Sequence, residues 1–171
     1  MSTREIPVYL FTGFLDAGKT TFIQETLEDP QFNGGEKTLV LLCEEGETEL
    51  QPLKFASSNV KIVTVEEEEQ LTPQFLAGLE KQYGFERAVI EYNGMWLLDN
   101  LYGALPQNWV VYQEMAFADA RTFLTYNNNM RNLTVDKMKS PEAIVFKYFD
   151  SSMDKMEYHK VVRVINRRCQ I

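Results

Sequence analysis

Gly13-Phe14-Leu15-Asp16-Ala17-Gly18-Lys19-Thr20 has the spacing G-x-x-x-x-G-K-T. Glycines at that spacing let the backbone curl until successive N–H groups face a phosphate. The lysine then reaches the outer phosphates and the threonine hydroxyl ligates Mg2+. Gly13, Asp16, Ala17, Gly18, Lys19, Thr20 and Thr21 are accordingly the candidate nucleotide-binding residues, with Lys19 the first candidate for catalysis. A strand that merely turned through glycines into a helix would account for Gly13 and Gly18 but not for Lys19-Thr20. A second chemical group is Glu91, at the end of the apolar run Ala88-Val89-Ile90. Open α/β sheets place their ligands at the carboxyl ends of their strands. Glu91 there either holds Mg2+ beside Thr20, directly or through water, or is a partly buried acid paired with a basic neighbour. Gly94 either lets the backbone approach a terminal phosphate or simply starts the next helix.

The elements that must position these groups follow from the pattern of apolar runs. Strands are expected at Val8 to Thr12, Thr38 to Cys43, Lys61 to Val65, Arg87 to Tyr92, Trp109 to Ala118 and Ala143 to Phe149. Thr38-Leu39-Val40-Leu41-Leu42 lacks polar alternation, as expected of a strand covered on both faces. Helices fit between them at Lys19 to Leu27, Thr72 to Tyr83, Met95 to Ala104, Ala120 to Asn127 and Asp154 to Arg168. Thr72 suits an N-cap with Pro73 at the first helical position, and Gly84 suits the helix end. Strands alternating with helices predict an α/β fold: a mostly parallel sheet with helices on both faces, the P-loop NTPase architecture.

Composition narrows the setting. At 171 residues and 44% hydrophobic, the chain supports one core and one domain, 1–171. A net charge of -8 argues against broad nucleic-acid or anionic-membrane binding, which surplus Lys and Arg drive. Two cysteines, Cys43 and Cys169, form no disulfide framework and no C-x-x-C pair. The stretch Met1 to Pro7 is polar and runs directly into the first strand, with no secretory signal. A cytoplasmic setting is expected. Because the last helix ends close to Ile171, leaving a final strand to be supplied, the domain reads as the nucleotide-binding, N-terminal part of a longer protein.

Ile6-Pro7-Val8 leading through Thr12-Gly13-Phe14-Leu15 into Ala17-Gly18-Lys19-Thr20-Thr21 resembles the start of the CobW family of P-loop GTPases, relatives of HypB and UreG. The family's Asn-Glu-Phe-Gly-Glu segment after the second strand is similar to Cys43-Glu44-Glu45-Gly46-Glu47, and its strand ending in Ile-Glu, two residues, then Gly is similar to Ile90-Glu91-Tyr92-Asn93-Gly94. The resemblance implies a Mg2+-dependent GTPase, with Gly94 as a switch glycine and the Glu44 to Glu49 loop sensing the third phosphate. It also implies a homodimer or a client metalloprotein as partner.

Three departures qualify the resemblance. The family's Cys-x-Cys-Cys after the third strand is replaced by Val65-Glu66-Glu67-Glu68-Glu69, so any metal cargo would need oxygen ligands such as Glu44, Glu47 or this acidic block, or His159. The acidic block itself reads chiefly as a solvated helix entrance. The guanine-reading Asn-Lys-x-Asp should follow the sixth strand, where Phe146-Lys147-Tyr148-Phe149-Asp150 stands. One register puts Lys147 and Asp150 at the Asn and Asp positions, and is preferred because it keeps a carboxylate for guanine. The other keeps Lys147 as the lysine and puts Phe146 and Phe149 at the polar positions. Asp150 could also simply cap the turn with Ser151 and Ser152. Asp16, where the family favours a small uncharged residue, would repel phosphate unless a cation lies close.

Together these features lead to a slow, Mg2+-dependent GTPase switch, with GTP or ATP as nucleotide. The alternative is a non-hydrolysing nucleotide-binding module serving a partner or a further domain. A small-molecule kinase is a third reading, which needs a mobile basic lid from Arg131, Lys137 or Lys139.

Overall fold

The structure, a computed structural model, describes residues 4–14, 17–44, 46 and 48–171. Leu15, Asp16, Glu45 and Glu47, invoked above, lie outside the described residues, as do residues 1–3.

Six parallel strands form one sheet: β1 (Ile6–Gly13), β2 (Thr38–Leu42), β3 (Val60–Thr64), β4 (Arg87–Glu91), β5 (Trp109–Asp119) and β6 (Ala143–Lys147), in the order β3-β2-β4-β1-β5-β6. The expected α/β class and parallel sheet are present. Pairing of Phe11 with Glu91 and of Gly13 with Phe117 brings the carboxyl ends of β4 and β5 alongside that of β1. Alternate residues divide the core. On one face Phe11, Val40 and Val89 meet Ile23 and Leu27 of α1 (Lys19–Glu28). On the other, Val8, Leu10, Leu39, Leu41 and Ile90 meet Leu76 and Leu79 of α2 (Pro73–Tyr83) and Leu98 and Leu101 of α3 (Leu98–Ala104). A further cluster joins Ala116, Ala118 and Ile144 to α4 (Phe123–Asn129), α5 (Arg131–Met138) and α6 (Lys155–Ile165) through Phe123, Met138, Tyr158 and Val162.

Local chemistry accounts for the boundaries. The Thr72 hydroxyl accepts the Phe75 N–H at 3.1 Å with Pro73 next, and Gly84 closes α2 in the left-handed conformation. α3 starts at Leu98 rather than Met95, because the Asn93 side chain accepts the Met95 N–H at 2.8 Å and holds the intervening residues in a turn. The helix expected from Ala120 starts at Phe123, because the Asp119 carboxylate binds the Arg121 N–H and side chain. α5 was not expected. Its sequence Arg131-Asn132-Leu133-Thr134-Val135-Asp136-Lys137-Met138 has no apolar stripe, and its buried face is largely polar: Thr134, Asp136 and Lys137 beside Met138. β6 stops at Lys147 because Tyr148 takes φ 62°, which ends the extended run. Beyond α6, Gln170 bridges to β6, and its carbonyl accepts the Ile144 N–H at 2.8 Å. Among the described residues no helix is long and apolar enough to cross a membrane.

Candidate functional site

The candidate site sits where β1 runs into α1. At Gly13, with φ 127°, a Cβ would stand 2.0 Å from the Phe117 carbonyl oxygen. At Gly94 a Cβ would stand 2.4 Å from the Gly13 carbonyl oxygen. These two positions admit no side chain, so the loop after β4 lies directly against the start of the phosphate loop. Gly94 precedes α3 by four residues, so it does not open that helix.

Lys19 is the first residue of α1 and is 2% exposed. Its ammonium donates to the Gly13 carbonyl at 2.8 Å, to the Tyr92 carbonyl at 3.3 Å and to the Glu44 carboxylate. Three oxygens thus hold the charge that the sequence assigned to phosphate. Thr20 Oγ1 donates to Glu91, 2.7 Å from Oε1 and 3.0 Å from Oε2. Glu91 is buried, and burial pushes its pKa up against the opposing effects of the Thr20 hydroxyl and Lys19. Glu91 is therefore paired with a hydroxyl as well as lying near a cation. Glu44 stands between two clefts. One, of about 300 Å³, is lined by Thr20, Glu49, Thr64 and Glu91; the other, of about 370 Å³, by Phe14, Gly94, Met95, Tyr126 and Met130. Phe14 stacks on Tyr126 with ring centroids 4.8 Å apart, extending the apolar wall of the second cleft.

Ala17, Gly18, Lys19 and Thr20 are brought to the same place as Glu44, Glu91 and Gly94, while Thr21 follows in the first turn of α1. Asp16 lies outside the described residues. Lys147 also reaches this region: a Cβ on Gly18 would meet its Cδ at 2.9 Å, so its stem crosses the loop. Asp150 is exposed on the following turn. There its carboxylate accepts the Ser152 N–H at 2.8 Å and the Ser152 hydroxyl, which hold its pKa below the usual aspartate range. Phe146 and Phe149 both pack edge-on against Tyr158 of α6.

The remaining candidates are dispersed. Among the described residues no three His, Cys, Asp or Glu side chains converge as metal ligands. In the acidic block, Glu67 and Gln70 close a capping box on the turn Glu68–Gln70, and Glu68 accepts from Asn100 at 2.5 Å. His159 lines a separate cleft with Phe149 and Tyr158. Cys43 and Cys169 are free and buried, and burial pushes the Cys43 thiol up to about 12, so it stays protonated. Lys137 is fully buried and cannot serve in a mobile lid. Instead Lys137 bonds the Trp96 carbonyl and Asp136 the Leu98 N–H, so both touch the loop that carries Gly94. The weak apolar pattern of α5 holds no signal that would have found them.

The family model described as the CobW/HypB/UreG nucleotide-binding domain matches residues 7–170. A comparison with curated proteins returns no match. Among solved structures, the chain is similar to the Zn(II)-bound YjiA GTPase from E. coli, with 24% identity, a TM-score of 0.66 and coverage of 98% of this chain and 57% of that one. It is also similar to the hydrogenase maturation factor HypB from Archaeoglobus fulgidus, with 15% identity, a TM-score of 0.64 and coverage of 98% and 79%. At those identities the likeness concerns the fold, and the chain spans little more than half the length of YjiA.

Proposed function

Because the chain belongs to the CobW/HypB/UreG nucleotide-binding family, we propose that it is a Mg2+-dependent nucleoside triphosphatase, a slow GTPase acting as a conformational switch. The observation that carries this reading is the convergence of the Lys19 ammonium, the Thr20–Glu91 pair and Gly94 at the carboxyl ends of β1 and β4. Thr20 and Glu91 are oxygen donors suited to a hard ion, and a carboxylate buried against a hydroxyl fits a cation. Mg2+ bound there would neutralise charge on the outer phosphates. Lys19 would exchange Glu44 for phosphate oxygen, and Gly94 would offer its backbone to the terminal phosphate. GTP or ATP is the nucleotide. Lys147 lies over the loop, and a preference for guanine would run through Asp150, whose two bonds from Ser152 both fall on Oδ1 and leave Oδ2 to accept. The partner this reading implies is a second copy or a client metalloprotein, for which Met95 and Leu97, 61% and 48% exposed, offer apolar contacts. The free, buried cysteines suit a cytoplasmic setting.

The alternative is a nucleotide-binding module that does not hydrolyse. It draws support from Arg121 and Arg131, which are engaged by Asp119 and Asn127 and so are not poised at the phosphate loop. Titration with fluorescent GTP and ATP analogues, with and without Mg2+, tests the reading. Binding should require Mg2+, and Lys19→Ala should weaken it about thirtyfold, the worth of a charge-assisted hydrogen bond of ~2 kcal/mol. Absence of binding with Mg2+, or indifference to Lys19→Ala, would sink the proposal. Binding without phosphate release would select the non-hydrolysing alternative.

A further inference from the structure

A buried ion pair that the proposed chemistry does not use grips the loop that carries Gly94. Lys137 of α5 is 0% exposed. Its ammonium donates to Asp136 Oδ2 at 2.9 Å and to the carbonyl of Trp96, and lies 5.4 Å from the centre of the Tyr92 ring. Asp136 Oδ2 accepts the Leu98 N–H at 3.1 Å. Between these two bonds, the Tyr92 hydroxyl donates to the Leu97 carbonyl at 2.8 Å. Three consecutive residues, Trp96, Leu97 and Leu98, are therefore held by side chains. At the other end of the loop, the Tyr92 carbonyl accepts from Lys19 and Gly94 lies against Gly13.

The geometry points to Asp136 and Lys137 as positioning residues that give the nucleotide site its discrimination between triphosphate and diphosphate. The inference rests on the nucleotide-binding reading above. Only Asn93, Gly94 and Met95 lie between the Tyr92 anchor and the Trp96 anchor. Gly94 is thus presented to the phosphate loop from two fixed ends rather than from a free loop. On the nucleotide-binding reading the phosphate-loop backbone would hold the inner phosphates and Lys19 would reach the outer ones, while only a terminal phosphate would meet the backbone of Gly94. A buried ion pair gives little net stability, because desolvation offsets its Coulomb attraction, and its best-attested use is to specify one arrangement. Here the arrangement specified is that of the loop from Tyr92 to Leu98.

The test compares affinities for GDP and for a non-hydrolysable GTP analogue, both with Mg2+, in wild type and Lys137→Met. Hydrogen exchange at the Leu98 amide is followed in parallel. Loss of the anchor should weaken the triphosphate analogue about tenfold, within the usual range of coupling between linked sites, with GDP affinity held within about twofold. Leu98 exchange should quicken. Should Lys137→Met fail to fold, the double variant Asp136→Leu/Lys137→Met fills the site with apolar groups, a replacement that buried pairs commonly tolerate. Faster Leu98 exchange with triphosphate affinity unchanged would overturn the inference, as would equal weakening of both nucleotides. A wild-type protein that binds neither nucleotide would overturn the nucleotide reading itself, and the inference with it.

Discussion

Lys19 is ion-paired and hydrogen-bonded within the protein. Its partners differ in kind: the carbonyls of Gly13 and Tyr92 are fixed by β1 and by the end of β4, but Glu44 lies past the end of β2, on a segment that borders both clefts. The Glu44 carboxylate occupies an anion position on Lys19, for which, on the proposed reading, phosphate would have to compete. Glu44→Gln removes the competing charge while keeping the shape. Nucleotide diphosphate should therefore bind about fivefold more tightly to the variant, a gain of ~1 kcal/mol from relief of an ion pair, read by the same titration. Unchanged or weaker binding would mean that Glu44 assists phosphate rather than standing in for it. Glu91 differs again, because its carboxylate is buried with Thr20 and its raised pKa reflects the cost of holding that charge out of water.

The elements divide into those that build the site and those that only support it. β1, α1 and the loop after β4 contribute atoms to it; α2 packs on the opposite face from α1 through Leu76 and Leu79. The Thr72 cap of α2 should thus be separable from function. Thr72→Ala is expected to lower unfolding free energy by ~1 kcal/mol, the ordinary worth of an N-cap, with nucleotide affinity unchanged. A denaturant titration and a nucleotide titration on the same sample check both halves. α5 contributes no atom to the site but holds the loop that does. It carries the Asp136–Lys137 pair, which reaches Trp96 and Leu98 across 41 and 38 residues.

At the scale of the whole molecule, buried acids tie stability to pH. Glu114 on β5 is buried and accepts from the hydroxyls of Tyr102 and of Ser140, the latter at 2.5 Å. Burial raises its pKa above that of an unfolded glutamate, so the folded state binds the proton more tightly. Its contribution to stability is complete below the unfolded value of about 4.3 and is lost as pH rises through the folded value. Glu114→Gln should remove that part of the slope, so that variant and wild type differ more in denaturation midpoint at pH 8 than at pH 4. A difference independent of pH would show that Glu114 is not titrating in that window. Glu91, displaced in the same direction, would supply a slope that survives in the variant.

The phosphate loop, the six parallel strands and the position of Glu91 at a strand end are legible in the residues, because each depends on local chemistry: glycine spacing, continuous apolar runs and the carboxyl-end rule. The Thr72 cap is legible for the same reason. Strand β6 and helices α3 and α4 were legible only in outline, since the positive φ of Tyr148 and the side-chain turns at Asn93 and Asp119 shorten them. Tertiary structure alone decided that Glu44 meets Lys19, that Lys147 crosses Gly18, and that a helix with a largely polar buried face grips the loop of Gly94. These are contacts between segments distant in the chain, made where polar groups are buried against one another. Hydrophobic periodicity records which face is apolar, but it holds no record of which charge a buried lysine will meet.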